Sequence, residues 1–246
     1  VYYRANVAGM ITLLETMRTH GVGSIVFSSS CATYGVPQRL PIVETMVQDP
    51  INPYGRSKRM GEEILRDACA AHGLGAIALR YFNAAGADSD GELGEEHEPE
   101  THLIPLVLQT ALGSRPGISV FGTDYETPDG TCVRDYVHVT DLASAHVAAL
   151  AACRAGRYAA YNLGTGRGVS INDVIARSRA ITGKAIIARS EGRRPGDPPV
   201  LIADASLART ALKWAPQCSD LDIIINSAWN WMTVHRGGAM SSGGSS

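Results

Sequence analysis

Residues 54–81 read YGRSKRMGEEILRDACAAHGLGAIALRY, and this stretch decides the fold. Its first part, residues 54–72, places apolar side chains at helical spacing and is followed by Gly73, which predicts a helix with a glycine stop. Its last part, residues 75–81, is short and apolar, which predicts a buried strand. Because a similar strand, residues 24–28 (SIVFS), precedes the helix, the order predicts two parallel strands joined by a crossover helix.

The alternation extends outward from this unit and loosens after about residue 85. Further strands are predicted at residues 118–121, 133–139, 158–163 and 185–188, and further helices at 5–20, 102–112, 141–154, 171–182, 205–213 and 221–235. We therefore predict an α/β fold: the C-terminal part of a Rossmann-type parallel sheet with helices on both faces, plus a smaller mixed α/β domain. Residues 237–246 (GGAMSSGGSS) are expected to be disordered.

The bulk composition narrows the class of protein. A formal net charge of -2 gives no electrostatic footprint for nucleic acid, and no run of about 18 apolar residues predicts a membrane span. The chain has 5 cysteines without a C-x-x-C pair, which favours reduced thiols in a cytoplasmic protein. No metal site is predicted.

Tyr54 and Lys58 form the first candidate for catalysis. Positions i and i+4 share one face of a helix, so the phenol and the ammonium group can point into one site. An adjacent ammonium group is expected to lower the pKa of the phenol, which suits a general base. A Tyr-x-x-x-Lys spacing alone is weak evidence, because about one chain in ten of this composition would contain it by chance.

Three serines, Ser28-Ser29-Ser30, stand at the carboxyl end of the first predicted strand. Active sites of open α/β sheets lie at those ends, so a serine there can hydrogen-bond a sugar hydroxyl or carbonyl. The alternative is an ordinary polar strand terminus. The serines followed by Tyr-x-x-x-Lys on the next helix are a far more specific combination.

Several further motifs occur in one order along the chain. They are Asn6-Val7, Ser28 to Ser30 with Tyr34-Gly35, Tyr54 to Lys58, Arg80 to Asn83, Asp129 to Thr131, Val133 to Tyr136, Tyr161 to Gly164, and Arg194 to Asp197. In these motifs the chain resembles the extended short-chain dehydrogenase/reductase family, in particular its members that epimerise nucleotide sugars at C4. The resemblance implies NAD-dependent interconversion of UDP-glucose and UDP-galactose through a 4-keto intermediate.

The resemblance also implies roles for individual residues. Tyr54 would be the catalytic base, Lys58 would tune it, and Ser30 would assist at the sugar hydroxyl. The NAD contacts would be Asn6, Ser30, Tyr54, Lys58 and Phe82. The UDP-sugar contacts would be Ser30, Tyr54, Asn83, His102, Leu103, Ser119, Val120, Phe121, Arg134, Arg194, Asp197 and Leu201. Residues 1–84 would be a partial NAD-binding domain, and residues 85–236 mainly the UDP-sugar domain with some segments returning to the first.

One expected motif is absent. A dinucleotide site needs a glycine-rich turn between a strand and a helix. Gly164 to Gly168 (GTGRG) is the nearest match, but its third glycine is misplaced. We therefore expect this chain to begin after the first strands of the Rossmann sheet, with the upstream segment missing either from this sequence or from the gene. We also expect the 246-residue chain alone to be inactive and to bind NAD weakly.

Alternative functions remain open from the sequence. The chain could be a noncatalytic UDP-sugar-binding remnant, or a UDP-pentose or UDP-uronate 4-epimerase. The related 4,6-dehydratases carry an acidic pair after the threonine of the serine loop, and Thr33 is followed by Tyr34 instead. Leu201, where some relatives carry a bulky aromatic residue, suggests room for an N-acetyl group. Relatives also suggest a homodimer of the full-length protein through the helices at residues 5–20 and 54–72.

Overall fold

A computed structural model describes residues 1–236, so the predicted disordered tail lies outside the described residues. The strands are β1 (Ser24–Ser30), β2 (Gly75–Tyr81), β3 (Asn83–Ala85), β4 (Ile118–Phe121), β5 (Val133–Arg134), β6 (Tyr136–His138), β7 (Tyr158–Leu163), β8 (Val169–Ser170), β9 (Ala188–Glu191) and β10 (Val200–Leu201). The helices are α1 (Gly9–Thr19), preceded by a π-helical segment (Tyr3–Ala8), α2 (Pro53–His72), α3 (Leu103–Ala111), α4 (Val139–Ala152), α5 (Ile171–Thr182), α6 (Ser206–Ala211) and α7 (Leu221–Arg236).

The chain divides into two compact units, each built from several segments. Unit 1 comprises residues 1–82, 142–166 and 201–215, and unit 2 comprises residues 83–141, 167–200 and 216–236. Unit 1 holds a sheet of order β1-β2-β7 in which both neighbouring pairs are parallel. The predicted parallel pairing around residues 54–81 is therefore confirmed.

Helix α2 begins and ends where local chemistry dictates. The Asn52 side chain accepts a hydrogen bond from the Gly55 amide at 2.8 Å, and Pro53 occupies the first turn, where its missing N–H costs nothing. Gly73 ends the helix with a φ of 72°, a left-handed conformation that glycine adopts without strain. The buried face, including Leu65 and Cys69, packs with α1 residues against β1 and β2.

Consecutive residues of β1 show that helices cover both faces of this sheet. Ser29 donates to Glu62 on α2 at 2.5 Å, while the Ser28 hydroxyl lies 3.1 Å from Nε2 of His146 on α4. Adjacent side chains of a strand point to opposite faces. Helices α2 and α4 therefore lie on opposite sides of the sheet, as predicted.

Unit 2 is a smaller assembly of strand pairs and helices. Strands β3 and β6 are parallel, as are β4 and β9, whereas β5 and β8 are antiparallel. Its largest core cluster brings together side chains of α3, α5 and α7, including Leu108, Val174 and Ile225. Among residues 1–236, no helix is both long enough and apolar enough to cross a membrane.

Some predicted boundaries are wrong. The strand predicted at residues 133–139 is split by Asp135 into β5 and β6, and Val139 already begins α4. The strand predicted at residues 185–188 starts only at Ala188, since β9 is exposed along its whole length and has no apolar pattern. Strands β3, β8 and β10 were not predicted, because two or three residues are too few to show a periodicity.

Candidate functional site

The first turns of α2 bring Tyr54 and Lys58 together in unit 1. The Lys58 ammonium lies 5.6 Å from the centroid of the Tyr54 ring and donates a hydrogen bond to the Ser28 carbonyl at 3.0 Å. Both side chains are half-buried. The predicted pair is therefore adjacent, next to the carboxyl end of β1.

Ser30 is the last residue of β1 and is almost fully buried. Its Oγ accepts from the Ala32 amide at 3.2 Å, and its side chain lies near enough to the Tyr54 phenol to lower the pKa of that group. A Cβ atom at Gly55 would lie only 2.3 Å from the Ala32 carbonyl oxygen, so the close approach of α2 to the turn after Ser30 requires glycine. The hydroxyl groups of Ser30 and Tyr54 and the ammonium group of Lys58 thus converge at the carboxyl end of β1.

Burial dominates the electrostatics of this pair. Burial raises the pKa of Tyr54, although the Ser30 hydrogen bond opposes that shift, and burial lowers the pKa of Lys58. The pKa of Tyr54 is thus raised and not lowered as expected, because burial outweighs the opposing contribution of Ser30. The buried phenol is held neutral, and the lysine is held closer to losing its proton.

The other candidate residues of unit 1 are Asn6, Phe82 and Leu201. Asn6 donates from Nδ2 to Ser57 Oγ at 2.9 Å, and Ser57 in turn donates to the Tyr54 carbonyl at 2.8 Å. Phe82 is buried in an apolar cluster against which Leu201 packs. Asn6 is therefore linked to the first turn of α2 through the Ser57 hydroxyl, and Leu201 serves at least as a packing residue.

In unit 2, two arginines occupy contrasting environments. Arg134 donates to Asp197 Oδ1 at 2.6 Å, and its side chain is only 12% exposed. The guanidinium carbon of Arg194 lies 3.9 Å from the centroid of the Phe121 ring, which is cation–π distance. The structure thus brings four of the residues predicted to contact the nucleotide into two close pairs.

The remaining candidates of unit 2 lie at strand and helix ends. Asn83 begins β3, Leu103 begins α3, and Ser119 and Val120 lie within β4, where Val120 is buried. His102 precedes α3, and its ring hydrogen-bonds the carboxylate of Glu95.

Comparison with known proteins decides the family. Residues 1–164 match the NAD dependent epimerase/dehydratase family. A UDP-glucose 4-epimerase from Lacticaseibacillus casei is 51% identical over 235 residues, which cover 95% of this chain and 71% of the relative. The chain belongs to the NAD-dependent epimerase/dehydratase family.

Solved structures of the family share the fold. The UDP-glucose 4-epimerase from Brucella ovis in complex with NAD is 52% identical with a TM-score of 0.88, covering 93% of this chain and 70% of that one. The enzyme from Bifidobacterium longum in complex with NAD+ and UDP is 41% identical with a TM-score of 0.90, covering 96% and 71%. The predicted Rossmann-type fold and the predicted family are both confirmed.

The residues present in this epimerase/dehydratase family member fit the nicotinamide side of an NAD site. Lys58 uses one of its three N–H donors within the described residues, on the Ser28 carbonyl, so two remain for ribose hydroxyls. Tyr54 and Ser30 place two hydroxyl groups at the same strand end. Family membership and these free donors together make NAD the cofactor.

The sequence did not indicate the role of Glu62, two turns beyond Tyr54 on α2. Its carboxylate is fully buried and accepts from Arg80 Nη2 at 2.5 Å, from Arg80 Nε at 2.9 Å and from Ser29 Oγ at 2.5 Å. Gln48 and Tyr158 also donate to its Oε2, at 3.1 and 3.0 Å, the oxygen that accepts from Arg80 Nη2. This network joins α2 to β1 and β2, two helical turns after Tyr54.

Arg80 extends the same network across unit 1. Its Nη1 donates to the Tyr34 hydroxyl at 2.8 Å, and Tyr34 donates to Asn162 Oδ1 on β7 at 2.7 Å. Burial, partly opposed by Arg80, raises the pKa of Tyr34 to about 12. Tyr34 and Arg80 belong to the family-like motifs of the sequence, and the structure gives both a positioning role.

Acid should weaken this network. Burial opposes ionisation of Glu62, but Arg80, Ser29 and Gln48 outweigh it and hold the pKa of Glu62 below its ordinary value. A carboxyl whose pKa is lower in the folded state stabilises the protein above its unfolded pKa of about 4.3 and loses that effect as the pH falls through the folded value. We expect the difference in unfolding free energy between wild type and Glu62→Gln to narrow below about pH 4.

Urea unfolding of both proteins at several pH values between about 3.5 and 6 measures this difference. If the difference in unfolding free energy stays constant over that pH range, the stabilisation does not come from the ionised Glu62 carboxylate.

Proposed function

We propose that this chain carries the catalytic residues of an NAD-dependent 4-epimerase that interconverts UDP-glucose and UDP-galactose. The observation that carries the proposal is the convergence of Ser30, Tyr54 and Lys58 at the carboxyl end of β1. The same reaction is supported by relatives named UDP-glucose 4-epimerase, which are about 50% identical to this chain over most of its length.

In the proposed reaction, Tyr54 accepts the proton of the sugar 4-hydroxyl and later returns it. Ser30 hydrogen-bonds both the phenol and the sugar oxygen, so it relays and orients that proton. Bound NAD supplies the acceptor for the hydride at C4 and the source from which it returns to the opposite face of the 4-keto sugar. Lys58 holds the nicotinamide ribose and provides the positive charge that favours phenolate during the proton transfer.

The nucleotide would be held by the polar and aromatic residues of unit 2. Arg134 and Arg194 are forked donors that suit a pyrophosphate, Phe121 can pack beside the uracil, and Asp197 can accept from ribose hydroxyls. The Bifidobacterium longum relative was solved with UDP bound, which supports a UDP site in this chain. Asn83, His102, Leu103, Ser119 and Val120 complete the proposed contacts of this unit.

Replacing Arg134 by methionine should weaken UDP binding. A charge-assisted hydrogen bond to phosphate is worth about 1.5–3 kcal/mol, so we expect Kd for UDP to rise roughly tenfold to a hundredfold. Isothermal titration with UDP measures the change. Arg167→Met, at an exposed arginine of the same unit, is the control and should leave Kd unchanged. Equal affinities of Arg134→Met and wild type would remove Arg134 from the proposed site.

The proposed activity is tested with enzyme expressed from its complete gene. UDP-galactose and NAD are supplied, and formation of UDP-glucose is followed by NMR. UDP binding without turnover would instead indicate a noncatalytic binding protein. A parallel assay with UDP-N-acetylglucosamine tests the proposal that Leu201 leaves room for an N-acetyl group. A UDP-Glc/GlcNAc 4-epimerase from Campylobacter jejuni, 42% identical to this chain, supports that proposal.

We also propose that two copies of the protein associate through α1 and α2. Ile11 and Leu13 on α1 and Met60 on α2 are exposed apolar side chains that a second copy would cover. Light scattering of the purified protein tests this dimer. The five free cysteines favour action in the reducing cytoplasm.

A further inference from the structure

The loop before α3 collects four side chains that commonly bind metals. Glu95, His97, Glu100 and His102 follow a Glu-x-His-x-x-Glu-x-His spacing, and one ligand atom from each lies within 4.8 Å of all the others. This cluster belongs to unit 2 alone, so its geometry rests on one compact part of the chain.

Both histidines turn the same ring nitrogen toward the same carboxylate. His97 Nδ1 lies 3.0 Å from Glu95 Oε1, and His102 Nδ1 hydrogen-bonds the same oxygen. Glu100 Oε1 lies 3.8 Å from Nδ1 of His97 and 3.7 Å from Nδ1 of His102. The two rings meet edge to face with centroids 5.2 Å apart. The four ligand atoms are therefore close enough together to bind one ion.

Glu100 gives an independent indication that a ligand belongs there. Its side chain is only 4% exposed, and its Oε1 is fixed by the amides of Thr101 and His102 at 2.7 and 2.8 Å. Its Oε2 is buried and has no hydrogen-bond partner among residues 1–236. A buried carboxylate oxygen without a partner is costly, and a bound cation would satisfy it.

We propose that these four residues form a binding site for a divalent transition-metal ion, best matched by Zn²⁺. Imidazole nitrogen favours such ions over Mg²⁺ and Ca²⁺, and two imidazoles with two carboxylates supply a full tetrahedral set. Tetrahedral ligands at zinc distances are about 3.4 Å apart, so the observed separations need only small shifts. The site shares His102 with the proposed UDP-sugar contacts, but none of its ligands belongs to the proposed proton-transfer residues Ser30, Tyr54 and Lys58.

Metal binding would fix the loop that leads into α3. His102 immediately precedes Leu103, the first residue of that helix, and Glu95 also lines a small cavity with Trp231 of α7. The ion would thus tie the loop to the start of α3 through His102. Because Trp231 adjoins Glu95, a quenching ion such as Co²⁺ should report its own binding through tryptophan fluorescence.

The test is a zinc titration of tag-free protein after chelator treatment. Cysteines are first alkylated with iodoacetamide, because Cys153 and Cys218 are partly exposed and are competing ligands. We expect wild type to bind one equivalent of Zn²⁺ per chain. In His97→Gln and in His102→Gln, Kd for Zn²⁺ should rise at least about tenfold, because removing a metal ligand should weaken binding at least as much as removing a residue that hydrogen-bonds a ligand. Co²⁺ should give the visible absorption of a four-coordinate site.

His72→Gln is the matched control, since His72 is an exposed histidine at the end of α2. It should bind Zn²⁺ like wild type. Because His97 is exposed, His97→Gln should fold normally, and circular dichroism verifies this for each variant. Wild-type affinity in both His97→Gln and His102→Gln would overturn the proposal, as would equal weakening in His72→Gln.

Discussion

Tyr54→Phe is expected to lower kcat for epimerisation by a factor of about 10²–10⁴, the usual contribution of a positioned general base. The change removes only the hydroxyl and keeps the ring, which contacts Tyr2 and lies 5.6 Å from the Lys58 ammonium. Affinity for UDP should stay close to that of wild type, because the nucleotide contacts are proposed to lie in unit 2. Steady-state kinetics with UDP-galactose and a UDP titration measure the two quantities.

Tyr3→Phe supplies the matched control, because Tyr3 is an exposed tyrosine near the same end of the chain. It should keep wild-type kcat. If Tyr54→Phe retains more than about a tenth of wild-type kcat, the phenol is not the proton acceptor and the mechanism needs another base.

Glu62→Gln should lower the free energy of unfolding far more than a substitution at an exposed position of α2. Removing one partner of a buried ion pair leaves the other charge uncompensated, which costs about 3–5 kcal/mol. Arg80 would be that charge, because its Nε and Nη2 both donate to the Glu62 carboxylate in a site with almost no solvent exposure. Urea denaturation of the purified variant measures the change in unfolding free energy.

The neighbouring residue on α2 offers a sharp control. Glu63 pairs with Arg59 at 2.9 Å on the exposed side of the same helix, so Glu63→Gln should cost no more than about 0.5 kcal/mol. Replacing Glu62 and Arg80 together by methionine should recover part of the loss, since no lone charge stays buried. Similar destabilisation by Glu62→Gln and Glu63→Gln would show that the buried pair contributes no more than an exposed one.

Long periodic segments were predictable from the sequence, and the reasons are physical. Helix α2 has a capping asparagine, an early proline and a glycine stop, and the predicted helix starts only one residue after the observed Pro53. Strand β9 has no buried side chain to make a pattern, so its position could not be read from residue types. The pairing of Tyr54 with Lys58 was predictable because one helix carries both.

Features that depend on the folded environment were harder to foresee. A glutamate at position 62 looks like a solvated helix residue until its partner on β2 is known. The direction of the Tyr54 pKa shift depends on burial, which a local motif does not specify. His102 was predicted as a nucleotide contact, while its cluster with Glu95 arises from an irregular loop without periodicity.

Tyr54, Lys58 and Glu62 are spaced four residues apart along a single helix, so they share one face of a stiff rod. A slight rotation of α2 would therefore displace the Tyr54 phenol, the proposed proton acceptor, and at the same time break the ion pair between Glu62 and Arg80. Laboratory evolution for new sugar preference should therefore hold this face constant. The exposed positions Arg56, Glu63 and Asp67 lie on the opposite face, beside Met60, so mutations there should alter the proposed association of two copies and not the buried ion pair.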